Sequence, residues 1–307
     1  MNKTTVILVA AALAGAGYVG VNYYVNDQIE QAITQKIAGF EADTGLDVDF
    51  ASSSVDLLTR DVEITQLQIS SLAQSAPELT IDKLSIAGYE QDKISPLTEL
   101  EFVGIKLNSK ADVFSQGTSP ELLAATYHVK TSFSFDEASG DSEFALMVLA
   151  DEVAQGDFTI SLGNSKKLME VSLAASKLDS QTLSLEQELQ LQSQLMAAMQ
   201  SLQFKSLALT INNQGKLSEF IESEVAQQEM TLADFRAAVA QQLQMMFLPQ
   251  EVQQAINDFA LGMNALSLSI TSTHNQNFMA LSQQLPVAMS QDPELLAELI
   301  KVEASGK

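Results

Sequence analysis

The segments 46-LDVDFASSSV-55, 62-VEITQLQI-69 and 79-LTIDKLSI-86 decide the fold, because apolar and polar residues alternate along most of each one. A period of two is typical of a strand with one buried face and one solvated face. Val62 and Ile64 are followed by Leu67 and Ile69 after a one-residue slip, which indicates a β-bulge. The pattern therefore predicts short strands whose sequential neighbours pair antiparallel.

The same alternation continues along the chain and then gives way to a mixture of elements. Further strands are predicted near 100–107, 127–135, 143–149 and 158–162, with 137–141 as a hairpin loop. The second half combines predicted strands at 207–211 and 266–270 with predicted helices at 185–202, 231–246, 249–259 and 293–300. We therefore predict an α+β fold with an N-terminal transmembrane helix, an antiparallel-sheet-rich periplasmic region and amphipathic helices in the second half.

The N-terminal segment carries the predicted membrane anchor. From Thr4 to Val25 the chain has no charged residue, and a helix of about 20 apolar residues crosses the hydrocarbon core of a bilayer. Lys3 lies before the segment, and the first acidic residues follow it, which favours a cytoplasmic N-terminus. The predicted anchor residues are Val6, Ile7, Leu8, Val9, Leu13, Val19, Val21, Tyr23 and Tyr24. The predicted location is the bacterial inner membrane, with a single pass and with residues from about 26 to 307 in the periplasm.

A cleaved signal peptide is the competing interpretation of this segment. The sequences Ala-Leu-Ala at 12–14 and Ala-Gly-Ala at 14–16 would suit a signal peptidase, and the product would be a soluble periplasmic carrier of a lipid or another hydrophobic ligand. The apolar run continues well beyond both sites, which favours the uncleaved anchor.

Four segments follow from these patterns. Residues 1–25 are the predicted anchor, and residues 26–45 are an amphipathic linker helix, because isoleucines recur there at four-residue steps. Residues 46–176 form the predicted β-rich region. Residues 177–307 form a mixed α+β region that we expect to pack on the sheet.

Composition limits the partners of this chain. Thirty-nine acidic residues face sixteen basic ones, for a net charge of −23, and such a surface repels phosphate backbones. We therefore expect no nucleic-acid partner. The expected partners are a membrane and either a lipid or an envelope protein. The chain has no cysteine, which excludes disulfides, thiolate nucleophiles and cysteine-ligated metals. The oligomeric state stays open.

The residues that ordinarily carry catalysis are sparse. His128 and His274 are isolated, without metal-binding spacing, and no Gly-x-Ser-x-Gly motif marks a nucleophile. Asp47, Asp49 and Asp56 have oxygen ligands that would suit calcium, but their spacing along an alternating strand indicates a solvated face. We therefore expect a non-enzymatic protein without catalytic, metal or cofactor-binding residues. An envelope hydrolase is the disfavoured alternative.

Methionine is concentrated in the second half of the chain. Flexible thioethers suit adaptable apolar pockets, although core filling is their more usual role. The candidate apolar groove comprises Met196, Met199, Met245, Met246 and Met263.

Three short stretches resemble a known family. Thr44-Gly45-Leu46-Asp47-Val48, Val55-Asp56-Leu57-Leu58 and Val62-Glu63-Ile64 resemble the start of AsmA-type bacterial envelope proteins, over about the first 90 residues. The layout of anchor, strands and helical second half is similar to that of YdgA-type inner-membrane proteins. The AsmA resemblance implies a curved sheet that lines an apolar groove and handles lipid. The expected function is envelope maintenance through binding of a lipid or a protein partner.

Overall fold

The computed structural model describes residues 37–39, 41–42, 44–56, 59, 61–71, 77–88, 90, 93–108, 120–176, 184–245, 248–291 and 293–307. The predicted anchor, from Val6 to Tyr24, lies outside these ranges, as does most of the predicted linker helix.

The fold class and the location predicted above require a correction. No helix within the described ranges is long and apolar enough to cross a membrane. The longest of them has 15 residues, whereas a membrane span needs about 20 predominantly apolar ones. A fold led by a transmembrane helix and a single-pass inner-membrane location are both wrong on this finding. The chain instead forms one large antiparallel sheet with helices.

Eleven strands form this sheet. They are β1 (Leu46–Asp49), β2 (Ser52–Val55), β3 (Val62–Ser71), β4 (Leu79–Ala87), β5 (Leu97–Leu107), β6 (Thr126–Asp136), β7 (Asp141–Ala150), β8 (Ala154–Gly163), β9 (Gln203–Asn213), β10 (Ala265–Ser272) and β11 (Ile300–Gly306). Neighbours follow chain order from β3 to β11, and β1 and β2 lie end to end along the outer edge of β3. Because β8 pairs with β9, the sheet continues across residue 177, where the two predicted regions meet.

Eight helices with assigned bounds lie in the described part of the chain. They are α1 (Pro120–Ala124), α2 (Lys166–Ser176), α3 (Leu185–Met199), α4 (Leu217–Gln227), α5 (Leu232–Met245), α6 (Gln250–Gly262), α7 (Phe278–Gln291) and α8 (Pro293–Leu299). Thr231 and Asp234 cap the start of α5, since the Asp234 backbone N–H donates to Thr231 Oγ1 at 3.1 Å. Ser184 and Gln187 form a full capping box at the start of α3.

The closed core occupies the first part of the sheet. Its centre is the row Leu67, Ile81 and Ile105 on three adjacent strands, with Leu67 and Ile81 each 1% exposed. Ile37, a helical residue before β1, belongs to the same buried cluster. These strands alternate buried and exposed positions, as their period of two predicts.

A shared irregularity crosses β3, β4 and β5. In each strand, two residues instead of one separate two pairs of apolar side chains. In β3, Thr65 and Gln66 lie between Ile64 of the first pair and Leu67 of the second. Because β4 has the same step at Asp82 and Lys83, the pairing of β3 with β4 shows no register shift. The register shift occurs farther on, between β5 and β6, beside Gly104 at φ +71°.

Gly104→Ala tests this irregularity. A Cβ on Gly104 would lie 2.1 Å from Asp82 Oδ2, and the left-handed backbone disfavours an L side chain. We expect the free energy of unfolding to fall by about 1–2 kcal/mol in urea titration. The control is Gly156→Ala, whose Cβ would meet its nearest neighbour at 3.9 Å. Equal stability of the two variants would contradict the structural role given to Gly104.

Candidate functional site: a half-open apolar sheet face

Three rows of side chains cross the middle of the sheet on the face that carries the core. Residues directly opposite each other on adjacent antiparallel strands share a face, so the register defines these rows. They are Phe133–Phe144–Ile160–Leu207–Ile270, Leu100–Thr131–Leu146–Phe158–Leu209–Leu268 and Phe102–Val129–Val148–Gly156–Ile211–Leu266. We call the apolar residues of these rows on β6–β9 the apolar floor: Val129, Phe133, Phe144, Leu146, Val148, Phe158, Ile160, Leu207, Leu209 and Ile211.

The apolar floor is incompletely covered. None of its residues is fully buried, and the Phe144 side chain is 38% exposed. In the closed core, by contrast, Leu84 on the same face retains 2%. The two parts of one sheet face thus differ in what packs on them, although both are apolar.

Helices close the far end of the same face. Leu281 of α7 and Leu299 of α8 are buried with Phe204 and Ile300, and Ile160 and Leu207 pack against this cluster. α6 packs on β11 and β10, with its Ala255 backbone directly above Gly306. The floor therefore lies between two closed clusters of the sheet.

The opposite face of the sheet carries mainly polar residues, apart from Ala145, Met147 and Leu149 on β7. Lys130 Nζ lies 2.7 Å from Glu99 Oε1, and Thr210 Oγ1 donates to Asp157 Oδ2 at 3.0 Å. An antiparallel sheet with one solvated face needs only one apolar face for its core. The half-exposed apolar residues of the floor are thus on the side where burial is expected.

A pocket of about 780 Å³ lies at the turn between β7 and β8. It is lined by Ala124, Ala125, Thr126, Asp151, Glu152, Val153, Lys216 and Glu219, and we call it the edge pocket. Ala125 and Val153 are buried with Ala150, and Tyr127 packs against them. The row Tyr127–Ala150–Ala154 lies next to the row of Val129 on the same sheet face. The edge pocket therefore adjoins one end of the apolar floor.

Backbone hydrogen bonds hold the walls of the edge pocket together. The Lys216 N–H donates to the Glu152 carbonyl at 2.7 Å, and the Gln214 N–H donates to the Val153 carbonyl at 3.0 Å. Asn213 Oδ1 accepts from the Leu217 N–H at 3.2 Å at the start of α4. These bonds connect the β7–β8 turn to the segment between β9 and α4.

The charges around the edge pocket are mainly negative. Lys216 forms an ion pair with Glu152, and this hydrogen bond raises the pKa of Lys216 and lowers the pKa of Glu152. His128 Nε2 lies 3.4 Å from Asp151 Oδ2. Burial raises the pKa of Tyr127 to about 12, and its hydroxyl donates to the Leu122 carbonyl at 2.7 Å. Tyr127 therefore stays neutral near pH 7, and its hydrogen bond connects β6 to α1 beside the pocket.

The two histidines lie in different parts of the structure. His128 lies on β6 by the edge pocket, whereas His274 lies in the exposed segment after β10. Across the described ranges, no three His, Asp or Glu side chains group so that they could hold a metal ion.

The methionines of the predicted groove are in different environments. Met196 and Met199 are 46% and 39% exposed on α3, whose main packing partner is α2. Met245 is 69% exposed at the end of α5, which packs against α4 and α6. Met263 is 1% exposed at the left-handed C-cap of α6, so it is a core residue, and Met246 lies outside the described residues. A methionine-lined groove stays a prediction.

Sequence reasoning missed the floor and the edge pocket. The alternation in 127–135 and 143–149 predicts which residues share a face, but it carries no information on what covers that face. The edge pocket joins residues 124–126 and 151–153 to Lys216 and Glu219, and no local motif connects these segments.

Comparison with known proteins gives one family match, which covers the second half of the chain. A protein-family model described as "Uncharacterized protein" matches residues 147–307. A comparison with curated proteins finds no match. The matched residues run from β7 to the end of β11 and include all helices from α2 to α8. Because the match covers more than half of its length, this chain belongs to that family of uncharacterized proteins.

Proposed function

We propose that this protein binds the acyl chain of a lipid-like ligand along its apolar floor, without catalysing a reaction. The observation that carries the proposal is the three-row apolar surface that remains only partly covered in the middle of an otherwise closed sheet face. Contiguous exposed apolar patches of this kind are typical of ligand or partner sites. The resemblance to AsmA-type proteins implies the same class of ligand.

The dimensions and energetics of the floor suit an acyl chain. Strands lie about 4.8 Å apart, so the four strands β6–β9 offer a floor roughly 15 Å across. Each methylene removed from water contributes about 0.8 kcal/mol. A chain that places about ten methylenes on Leu146, Phe158 and their neighbours would therefore offset a typical cost of association.

Leu146→Glu is expected to weaken binding of the uncharged dye Nile red at least tenfold. The carboxylate would stand in the central row of the floor, opposite Phe158, where ligand binding would remove it from water. Fluorescence titration measures the affinity.

Met147→Glu is the matched control. Met147 is the next residue of β7, is also partly buried and lies on the polar face, paired with Lys130. Its affinity should stay within twofold of the wild-type value, while circular dichroism verifies that both variants are folded. Equal loss in both variants, or no saturable dye binding by the wild-type protein, would refute the proposal.

Docking of a protein partner on α3 is a second candidate function. Leu189 and Met196, seven residues apart on one side of α3, are 58% and 46% exposed. Apolar residues at such spacing are typical of helices that enter a partner's groove. A photo-crosslinking residue at Met196 should yield one discrete adduct, whereas the same residue at exposed Gln194, on the other side of the helix, should not. Identical adduct patterns at both positions would contradict this role.

A further inference from the structure

We infer that the edge pocket receives the head group of the ligand held on the apolar floor, and that this head group is cationic. The inference rests on the proposed function, since it concerns the polar end of the same ligand. The row that follows Val129–Val148 along the strands is Tyr127–Ala150, and Ala150 is buried, so the acyl chain ends against this row. Val153 and Ala125, which are buried beside Ala150, already line the edge pocket.

The lining of the edge pocket has a negative balance. Asp151, Glu152 and Glu219 contribute three carboxylates against the single ammonium group of Lys216, which leaves a formal charge of −2 on the lining. Lys216 is itself paired with Glu152, and the charge of Glu219 further raises its pKa. An anionic head group would have to displace Glu152 from Lys216.

Two other basic side chains in the described part of this half of the chain are engaged as well. Lys205 pairs with Asp141. Arg236 donates to the carbonyl oxygens of Ala260 and Leu261, each at 2.9 Å. A carboxylate or phosphate head group would therefore compete with existing partners, whereas the negative balance of the pocket favours an ammonium group.

Three amphiphiles with the same 12-carbon chain provide the test: dodecyltrimethylammonium, dodecyl maltoside and dodecanoate. Each is titrated, below its micelle concentration and at low ionic strength, against Nile red bound to the full chain. We expect dodecyltrimethylammonium to displace the dye at least tenfold more effectively than dodecanoate, with dodecyl maltoside between them. Added salt should narrow the difference, because it screens exposed charges.

A double variant distinguishes the edge pocket from the overall negative charge of the protein. Asp151→Asn with Glu219→Gln removes two carboxylates of the pocket and should reduce the cation preference at least threefold, with unchanged dye affinity. Glu222→Gln, one turn farther along α4 and exposed outside the pocket lining, should leave the preference unchanged.

The outcomes separate the inference from the proposed function. Equal displacement by dodecyltrimethylammonium and dodecanoate would overturn the cationic head group and leave acyl binding intact. If the double variant and Glu222→Gln reduce the cation preference equally, the assignment of the head group to the edge pocket is overturned. If none of the three amphiphiles displaces the dye, acyl binding itself fails.

Discussion

Ile81→Ala is expected to lower the free energy of unfolding by roughly 3–4 kcal/mol, measured by urea titration. Ile81 is 1% exposed and lies between Leu67 and Ile105 in the central row of the closed core. The substitution removes buried methyl and methylene groups and leaves a cavity that strands paired on both sides cannot readily fill.

Ile211→Ala provides the matched comparison, because Ile211 is an isoleucine on the same sheet face but is only partly buried on the floor. We expect a loss of about 1–2 kcal/mol, since part of the side chain is already in contact with water. Losses of the same size at both positions would show that the floor is covered in solution and would contradict the half-open face.

Gly306→Val is expected to destabilise the protein by about 3 kcal/mol or more, because it separates α6 from the last strand. A Cβ on Gly306 would lie 1.8 Å from the Ala255 carbonyl oxygen and 2.9 Å from the Phe259 backbone nitrogen. Backbone atoms of a helix cannot move aside singly, so the whole helix must shift. The burial of Val252 and Ala255 would be lost with it.

Ser305→Val is the control for this substitution. Ser305 precedes Gly306 in the same strand, is exposed and points to the polar face. Its effect should stay within about 0.5 kcal/mol, as for most surface substitutions. A Gly306→Val protein as stable as Ser305→Val would show that α6 does not rest on β11.

Several elements were predictable because their signals are local. The hairpin predicted from 127–135 and 143–149 is present as β6 and β7, joined by the turn at 137–140. Apolar and polar residues alternate along most of β6, β7 is an apolar run, and Gly140 at φ +72° provides the left-handed turn position. The pair Thr231 and Asp234 likewise marks a helix start through bonds between neighbours in sequence.

Two other elements could not be predicted from local sequence, and each has a physical reason. β11 was not predicted, and its first residue, Ile300, was assigned to the final helix, because α8 precedes the strand without a break and only Val302 and Ala304 continue its apolar face. α7 contains Pro286, which argues against a helix in local terms. Packing of Leu281 and Ala288 in the second cluster stabilises it nonetheless.

The sequence alone determined the sheet and its polarity. The period of two from Leu46 onward decides which side chains share a face, because successive residues of a strand must point in opposite directions. Only the tertiary structure decided that one apolar face is closed around Ile81 and half-open around Leu146. Coverage of a face depends on helices that return from distant parts of the chain, and a period measured within one strand contains no record of them.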